Sequence, residues 1–182
     1  IKIKKFINLC SVMQHYKGRP LNPQNFYAAS KEMFNIAIRY YKNNNRKIKF
    51  YNLYISDTYG KGDNRRKILP TIIKNFKKNK ITVVRKVKLE LNILNVKDIL
   101  NAIFILMNKK ITDGEYIIRA KKNIELKNLI NDINDKLKRK IKIKFLNDKH
   151  EKENKFKIKI LPYWKQKHNI YKDLISDLNE NY

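Results

Sequence analysis

At 182 residues, with 42% apolar and 32% charged side chains, the chain is long enough for one domain, or one and a half, and reads as globular rather than disordered. A single cysteine, Cys10, excludes an internal disulfide framework and a cysteine-based zinc site, and no apolar run reaches the length of a membrane span. The net charge of +27 points at first to nucleic acid or an anionic membrane. Its make-up argues against both: 35 Lys stand beside only 8 Arg, with 27 Ile and 24 Asn but 4 Gly and 5 Ala, the pattern of an A/T-biased genome. A base-reading surface favours Arg, whose fork matches guanine and phosphate. The sequence starts at Ile1, inside a strand-like stretch and with no visible signal peptide, so part of a longer cytoplasmic chain is expected.

Apolar periodicity predicts the elements in turn. Residues 2–10 read as a strand, and Gly18, Pro20 and Pro23 mark a loop. From Gln24 the period lengthens, with Phe26, Met33, Phe34, Ala37, Ile38 and Tyr41 at helical spacing until Asn43-Asn44-Asn45 ends the helix. Residues 47–55 alternate as a strand, and 56–64, with two glycines, read as a loop. Leu69, Ile72, Ile73 and Phe76 predict a helix, followed by short strands over 81–84 and 87–94. Val96, Ile99, Leu100, Ile103, Phe104 and Met107 form a helical face, and 114–119 a strand. Ile124, Leu126, Leu129, Ile130, Ile133 and Leu137 form another helical face, followed by a strand over 141–145. Residues 148–155 read as a charged link and 168–178 as a last short helix. Strands alternating with helices predict an α/β fold with a largely parallel sheet.

Tyr27 and Lys31 share a helix face at i and i+4. A lysine ammonium beside a phenol favours the phenolate, which would let Tyr27 act as a general acid or base near neutral pH. The spacing alone carries little: with 11 Tyr and 35 Lys in 182 residues about two such pairs arise by chance, and two occur, the other being Tyr163 and Lys167. Context favours the first. A strand leads to Ser11, where open α/β sheets place their ligands, and Tyr27 then opens an amphipathic helix. His15, His150 and His168 are scattered and form no metal set, and Cys10 reads as a small buried hydrophobe.

These residues carry a resemblance. Residues 7–16 (INLCSVMQHY) and 25–34 (NFYAASKEMF) resemble the extended short-chain dehydrogenase/reductase superfamily, and within it the NAD-dependent epimerase/dehydratase family that acts on nucleotide sugars. The loop Asp57-Thr58-Tyr59-Gly60, the block with Val96, Asp98 and Ala102, and Leu161-Pro162-Tyr163-Trp164 are similar to later family motifs. Gln14-His15-Tyr16 after the serine resembles the 4-keto-sugar reductase subgroup that contains CDP-abequose synthase.

The resemblance implies a Rossmann-type, doubly wound sheet with a small α/β substrate domain. Residues 1–60 would be the C-terminal half of the NAD-binding domain, and 61–182 mostly the substrate domain, with 87–108 returning to the Rossmann part. It implies that Ser11, Tyr27 and Lys31 are catalytic, and that Tyr27, Lys31 and Ser56 face an NAD or NADP cofactor. Ser11, Asp57, Arg65 and Arg66 would contact a nucleotide-sugar substrate, and a homodimer is in keeping with it. The departures are as clear. No G-x-x-G-x-x-G occurs among Gly18, Gly60, Gly62 and Gly114, so the cofactor half of the fold is expected to lie outside this chain. Tyr54 stands where the family usually has Arg or Lys, and Lys97 replaces an acid. Two alternatives stand beside the enzyme: a non-catalytic remnant or binding module of the same fold, and a basic nucleic-acid-binding protein.

Overall fold

The computed structural model describes residues 3–45, 47–85, 88–146 and 157–179. In chain order its first elements are β1 (Lys5–Ser11), α1 (Phe26–Asn44), β2 (Lys49–Ile55), β3 (Asp57–Tyr59), α2 (Ile68–Lys77), β4 (Thr82–Val84), β5 (Glu90–Leu91) and β6 (Ile93–Asn95). They are followed by α3 (Val96–Asn108), β7 (Gly114–Ile118), β8 (Ile124–Glu125), α4 (Leu126–Asn134), β9 (Ile143–Phe145), β10 (Lys159–Ile160) and α5 (Ile170–Asn179). Two compact units result. The first takes the described residues of Ile1–Ser56, Asp98–Arg119 and Lys152–Lys165, the second those of Asp57–Lys97, Ala120–Glu151 and Gln166–Tyr182.

The first unit is a parallel sheet in the order β1-β2-β7-β10, so the α/β class read from the alternating periods holds. Every residue of β2 from Phe50 to Tyr54 is buried, as a central parallel strand covered on both faces requires. Lys5, on the edge strand β1, closes off the C-terminus of α3: its Nζ donates to the carbonyls of Leu106 at 2.6 Å and Met107 at 2.8 Å.

Helix α1 begins where Asn25 Oδ1 accepts the amide of Ala28 at 2.9 Å. Its buried stripe is Ala28, Glu32, Asn35 and Ile38. This corrects the expected apolar face: of the six residues at that spacing only Ile38 is buried, while Phe26 is 83% exposed and Met33, Phe34 and Tyr41 also face outward. The physical reason lies in the sheet beneath, which presents Asn8 and Asn52 to the helix. Asn8 bonds Asn52 and needs a further partner from the helix, which Asn35 supplies, and Glu32 in turn accepts from Asn35; Phe or Met at these places would leave the amides unsatisfied. The same inversion touches α3, where Asp98, Ile99, Ala102 and Leu106 are buried but Val96, Leu100, Phe104 and Met107 are exposed.

The second unit has three short strand pairs, β3–β6 and β4–β9 parallel and β5–β8 antiparallel. Its core gathers Leu69, Ile72 and Phe76 of α2, Leu126, Leu129, Ile130 and Ile133 of α4, and Leu174 and Leu178 of α5. Asp173 of α5 ties the strands to that core, accepting from Tyr59 Oη at 2.7 Å and Asn95 Nδ2 at 2.8 Å. Three local expectations change. The loop over 56–64 contains β3, because Asp57–Tyr59 finds β6 as a parallel partner. The strand over 87–94 is two pieces, β5 and β6, with residue 87 outside the described residues. Ile124 pairs in β8 with Leu91 instead of starting α4. The charged link over 148–155 lies outside the described residues.

Candidate active site

Ser11 is the last residue of β1, at the carboxyl end of the sheet, paired across from Ile55. It also starts a 3-10 turn, Val12–Gln14, through a reciprocal cap. Its Oγ accepts from Met13 N at 3.2 Å, and its own N–H donates to Gln14 Oε1 at 2.8 Å. A hydroxyl has one donor and two acceptor sites, so Ser11 keeps its O–H for another oxygen.

Tyr27 is the second residue of α1 and half exposed, with its side chain one turn before Lys31. Lys31 Nζ donates to the carbonyl of Leu9 at 3.0 Å, two residues before Ser11. The Tyr27–Lys31 helix face and the strand end bearing Ser11 are therefore joined within one unit. The second Tyr-x-x-x-Lys copy has no such frame. Tyr163 is exposed, has a φ of 64°, and sits in a turn, so no helix brings Lys167 onto its face.

Beneath α1 runs a buried polar layer that periodicity did not reveal. Asn8 Nδ2 donates to Asn35 Oδ1 at 2.8 Å and to Asn52 Oδ1 at 3.1 Å. Asn35 Nδ2 in turn donates to Tyr54 Oη at 3.1 Å and to Glu32 Oε2 at 3.3 Å. Gln14 Nε2 donates to Glu32 Oε2 at 2.8 Å. Arg39 Nη2 lies 3.8 Å from both Glu32 and Glu115. Burial pushes the Tyr54 hydroxyl and the Cys10 thiol up, the thiol to about 12, so Cys10 is no nucleophile at neutral pH. Burial likewise lowers the His15 imidazole, which packs edge-on against the Tyr54 ring at 4.9 Å and is held neutral.

Ser56 follows β2 at the same end of the sheet. It is buried, and its Oγ makes no hydrogen bond. Buried hydroxyls are normally satisfied, so this one is an orphaned polar atom at a ligand-binding edge. In the second unit, Asp57 Oδ1 accepts from Lys67 Nζ at 2.7 Å. Arg65 is committed to its own loop: it grips Asp63 with Nε at 2.8 Å and Nη2 at 2.6 Å, and Nη2 also reaches the Thr58 carbonyl at 3.1 Å. The Arg65 hydrogen bond holds the Asp63 carboxyl below its ordinary value. Arg66 is exposed. Among the described residues no group of three or more His, Cys, Asp or Glu could hold a metal ion, and no helix is long and apolar enough to cross a membrane.

A model of the NAD dependent epimerase/dehydratase family matches residues 12–118, more than half of the chain. No curated protein matches. Among solved structures, the chain is similar to UDP-glucuronic acid 4-epimerase from Bacillus cereus in complex with UDP-glucuronic acid and NAD, at 16% identity and a TM-score of 0.80 over 100% of this chain and 63% of that one. It is similar to dTDP-glucose 4,6-dehydratase from Bacillus anthracis in complex with NAD, at 16% identity and a TM-score of 0.76 over 96% and 60%. A third neighbour is RMD from Pseudomonas aeruginosa complexed with NADPH, at 15% identity and a TM-score of 0.76 over 97% and 66%. At identities this low the likeness, with TM-scores of 0.76 to 0.80, shows the fold alone, and the chain spans less than two thirds of each neighbour's length.

Proposed function

Because the chain belongs to the NAD dependent epimerase/dehydratase family, we propose that it carries the proton-transfer and substrate-binding part of an NAD(P)-dependent nucleotide-sugar epimerase, dehydratase or 4-keto-reductase. The observation that carries the reading is the Lys31 Nζ bond to the Leu9 carbonyl at 3.0 Å, which docks the Tyr27–Lys31 face onto the strand end that bears Ser11. A nicotinamide held by Tyr27, Lys31 and Ser56 would supply or accept the hydride. Tyr27 moves the matching proton at the sugar oxygen, and Ser11 donates its O–H to that same oxygen. Lys31 places a positive charge one turn from the phenol on the same helix face, and its bond to the Leu9 carbonyl fixes that face against the strand end.

The orphaned Ser56 hydroxyl fits a cofactor-facing role, since a ligand would satisfy it. Tyr27, Lys31 and Ser56 account for the nicotinamide end alone: the Gly-rich turn that cradles pyrophosphate is not in this sequence. The first unit is the nucleotide-cofactor side of this scheme and the second the substrate side. There Arg66 is better placed than Arg65 to meet the substrate diphosphate, because the Arg65 fork is occupied by Asp63. Gln14-His15-Tyr16 after the serine favours a 4-keto-reductase within this range. A second reading is a binding module of the same fold without turnover.

The test is nucleotide-sugar turnover, read as formation or loss of NAD(P)H, by the chain completed with a Gly-rich nucleotide-binding half. Tyr27→Phe should lower turnover by about 10² to 10⁴ while nucleotide-sugar binding persists. Ser11→Ala should cost less, and Tyr163→Phe should be silent. Turnover that survives Tyr27→Phe would sink the assignment, and a completed chain without turnover would leave the binding module.

A further inference from the structure

We propose that Gln14 and Glu32 are positioning residues, a buried one-way clamp that fixes Ser11 against the helix carrying Tyr27 and Lys31; the inference rests on the proton-transfer role proposed for those three residues. Gln14 is fully buried, and its amide spans the gap between strand end and helix. Oε1 takes the Ser11 N–H at 2.8 Å, and Nε2 gives to Glu32 Oε2 at 2.8 Å. Glu32 directly follows Lys31, whose Nζ returns to the Leu9 carbonyl at 3.0 Å. Two separate links thus close a ring between the end of β1 and the first turns of α1, with Ser11 on one side and Lys31 on the other.

The choice of glutamate at this place is telling. Glu32 is 6% exposed, and its Oε1 takes no hydrogen bond, with Arg39 Nη2 at 3.8 Å as its compensating charge. Burying a carboxylate in this way is costly, and a glutamine would fill the same space without the charge. What the carboxylate supplies is an oxygen that can only accept. An amide at position 32 would accept either end of the Gln14 amide, leaving its orientation to the Ser11 N–H alone. A carboxylate tolerates one, with Nε2 toward Glu32 and Oε1 toward the Ser11 N–H. Asn35 Nδ2, at 3.3 Å from the same Oε2, holds the carboxylate in place. The consequence for the site is a single setting of the 3-10 turn that begins at Ser11, and so of the serine hydroxyl.

The clamp can be inverted, which supplies the test. Gln14→Glu alone sets two carboxylates face to face. Adding Glu32→Gln restores a one-way pair of opposite sense, because the carboxylate at position 14 then accepts both the Ser11 N–H and the amide at position 32. Two readouts apply: exchange of the Ser11 amide hydrogen by NMR in the full chain, and kcat and KM in the completed nucleotide-sugar assay. In Gln14→Glu, exchange at Ser11 should quicken about tenfold or more, and kcat should fall by up to about a hundredfold with little change in KM, as misplacement of a reacting group by about 1 Å can cost. The double variant should return both to within about threefold of the parent. Wild-type exchange at Ser11 in Gln14→Glu would overturn the clamp. So would a double variant that melts like the parent yet recovers neither readout. Faster exchange with unchanged kcat would overturn the positioning role. A parent without turnover would overturn the functional reading instead, and the exchange readout alone would then decide the clamp.

Discussion

Asn35 is the hub of the polar layer under α1, and replacing it with an isosteric apolar residue measures what that layer is worth. The residue is fully buried and makes four contacts. Its Oδ1 accepts from Asn8 Nδ2 at 2.8 Å and lies 3.4 Å from Cys10 Sγ; its Nδ2 donates to Tyr54 Oη at 3.1 Å and Glu32 Oε2 at 3.3 Å. In Asn35→Leu, Asn8 retains Asn52 and Glu32 retains Gln14, whereas Tyr54 Oη, on a fully buried ring, loses its partner. One orphaned buried hydroxyl costs about 1–3 kcal/mol, and the two weakened bonds add about 1 kcal/mol more, for a total of about 2–4 kcal/mol. In a chain of this length that is a fall in Tm of about 5–15 °C. Urea denaturation followed by circular dichroism reads it directly. The decisive control is Asn35→Leu in a Tyr54→Phe background. Removing both partners should recover much of the loss, since a pair replaced by apolar groups leaves nothing unsatisfied. An Asn35→Leu cost under about 1 kcal/mol, or a cost the same with and without the Tyr54 hydroxyl, would refute the reasoning.

Cys10 should resist alkylation by iodoacetamide in the folded chain at pH 8 and react fully in denaturant, because burial pushes its thiol up to about 12; mass spectrometry counts the adduct. Lys42 Nζ, 2.7 Å from Asp113, holds that carboxyl below its ordinary 3.8. The folded value is the depressed one, so this pair stabilises above pH 3.8 and its contribution is lost as pH falls through the folded value. Lys42→Met should therefore flatten the acid limb of a stability–pH curve, by under about 1 kcal/mol since both groups are partly solvated. Arg65→Ala should lower the stability of the second unit by about 1 kcal/mol and release Asp63, whereas Arg66→Ala should leave stability unchanged and raise KM for the nucleotide sugar. Paired melts and kinetics separate the two, and the opposite assignment of effects would reverse the roles given to these arginines.

The alternation of periods was enough to read the parallel sheet and the helices, because strands such as β2 are largely apolar and helices such as α4 carry one apolar stripe. Helix α1 was legible as a helix but not as to its orientation. Two stripes run along it at the same spacing, one of Phe26, Met33, Ala37 and Tyr41, the other of Ala28, Glu32 and Asn35, and a hydropathy rule selects the first. The signal that selects the second is non-local: Asn8 and Asn52 occupy facing register positions in strands otherwise apolar, and only strand pairing shows that they meet. Ser11, Tyr27 and Lys31 could be singled out from motif and context. Gln14 was visible only as part of a resemblance, and Glu32 not at all, because a lone acid beside a lysine in a helix looks like solvated charge. Strand β10 was missed for its brevity, two residues with exposed side chains.

The outward face of α1, with Phe26, Met33, Ile36, Tyr40 and Tyr41 all exposed, gives the surplus of lysines a colloidal meaning. A net charge of +27 surrounds a surface that would otherwise be adhesive. Repulsion between copies of the chain works only over the Debye length, which shrinks from about 10 Å at 0.1 M salt to about 3 Å at 1 M. Added salt should thus drive this chain together where it would drive a DNA-binding protein off its ligand. The solubility of the polypeptide is accordingly held by its ionic surroundings as much as by its fold.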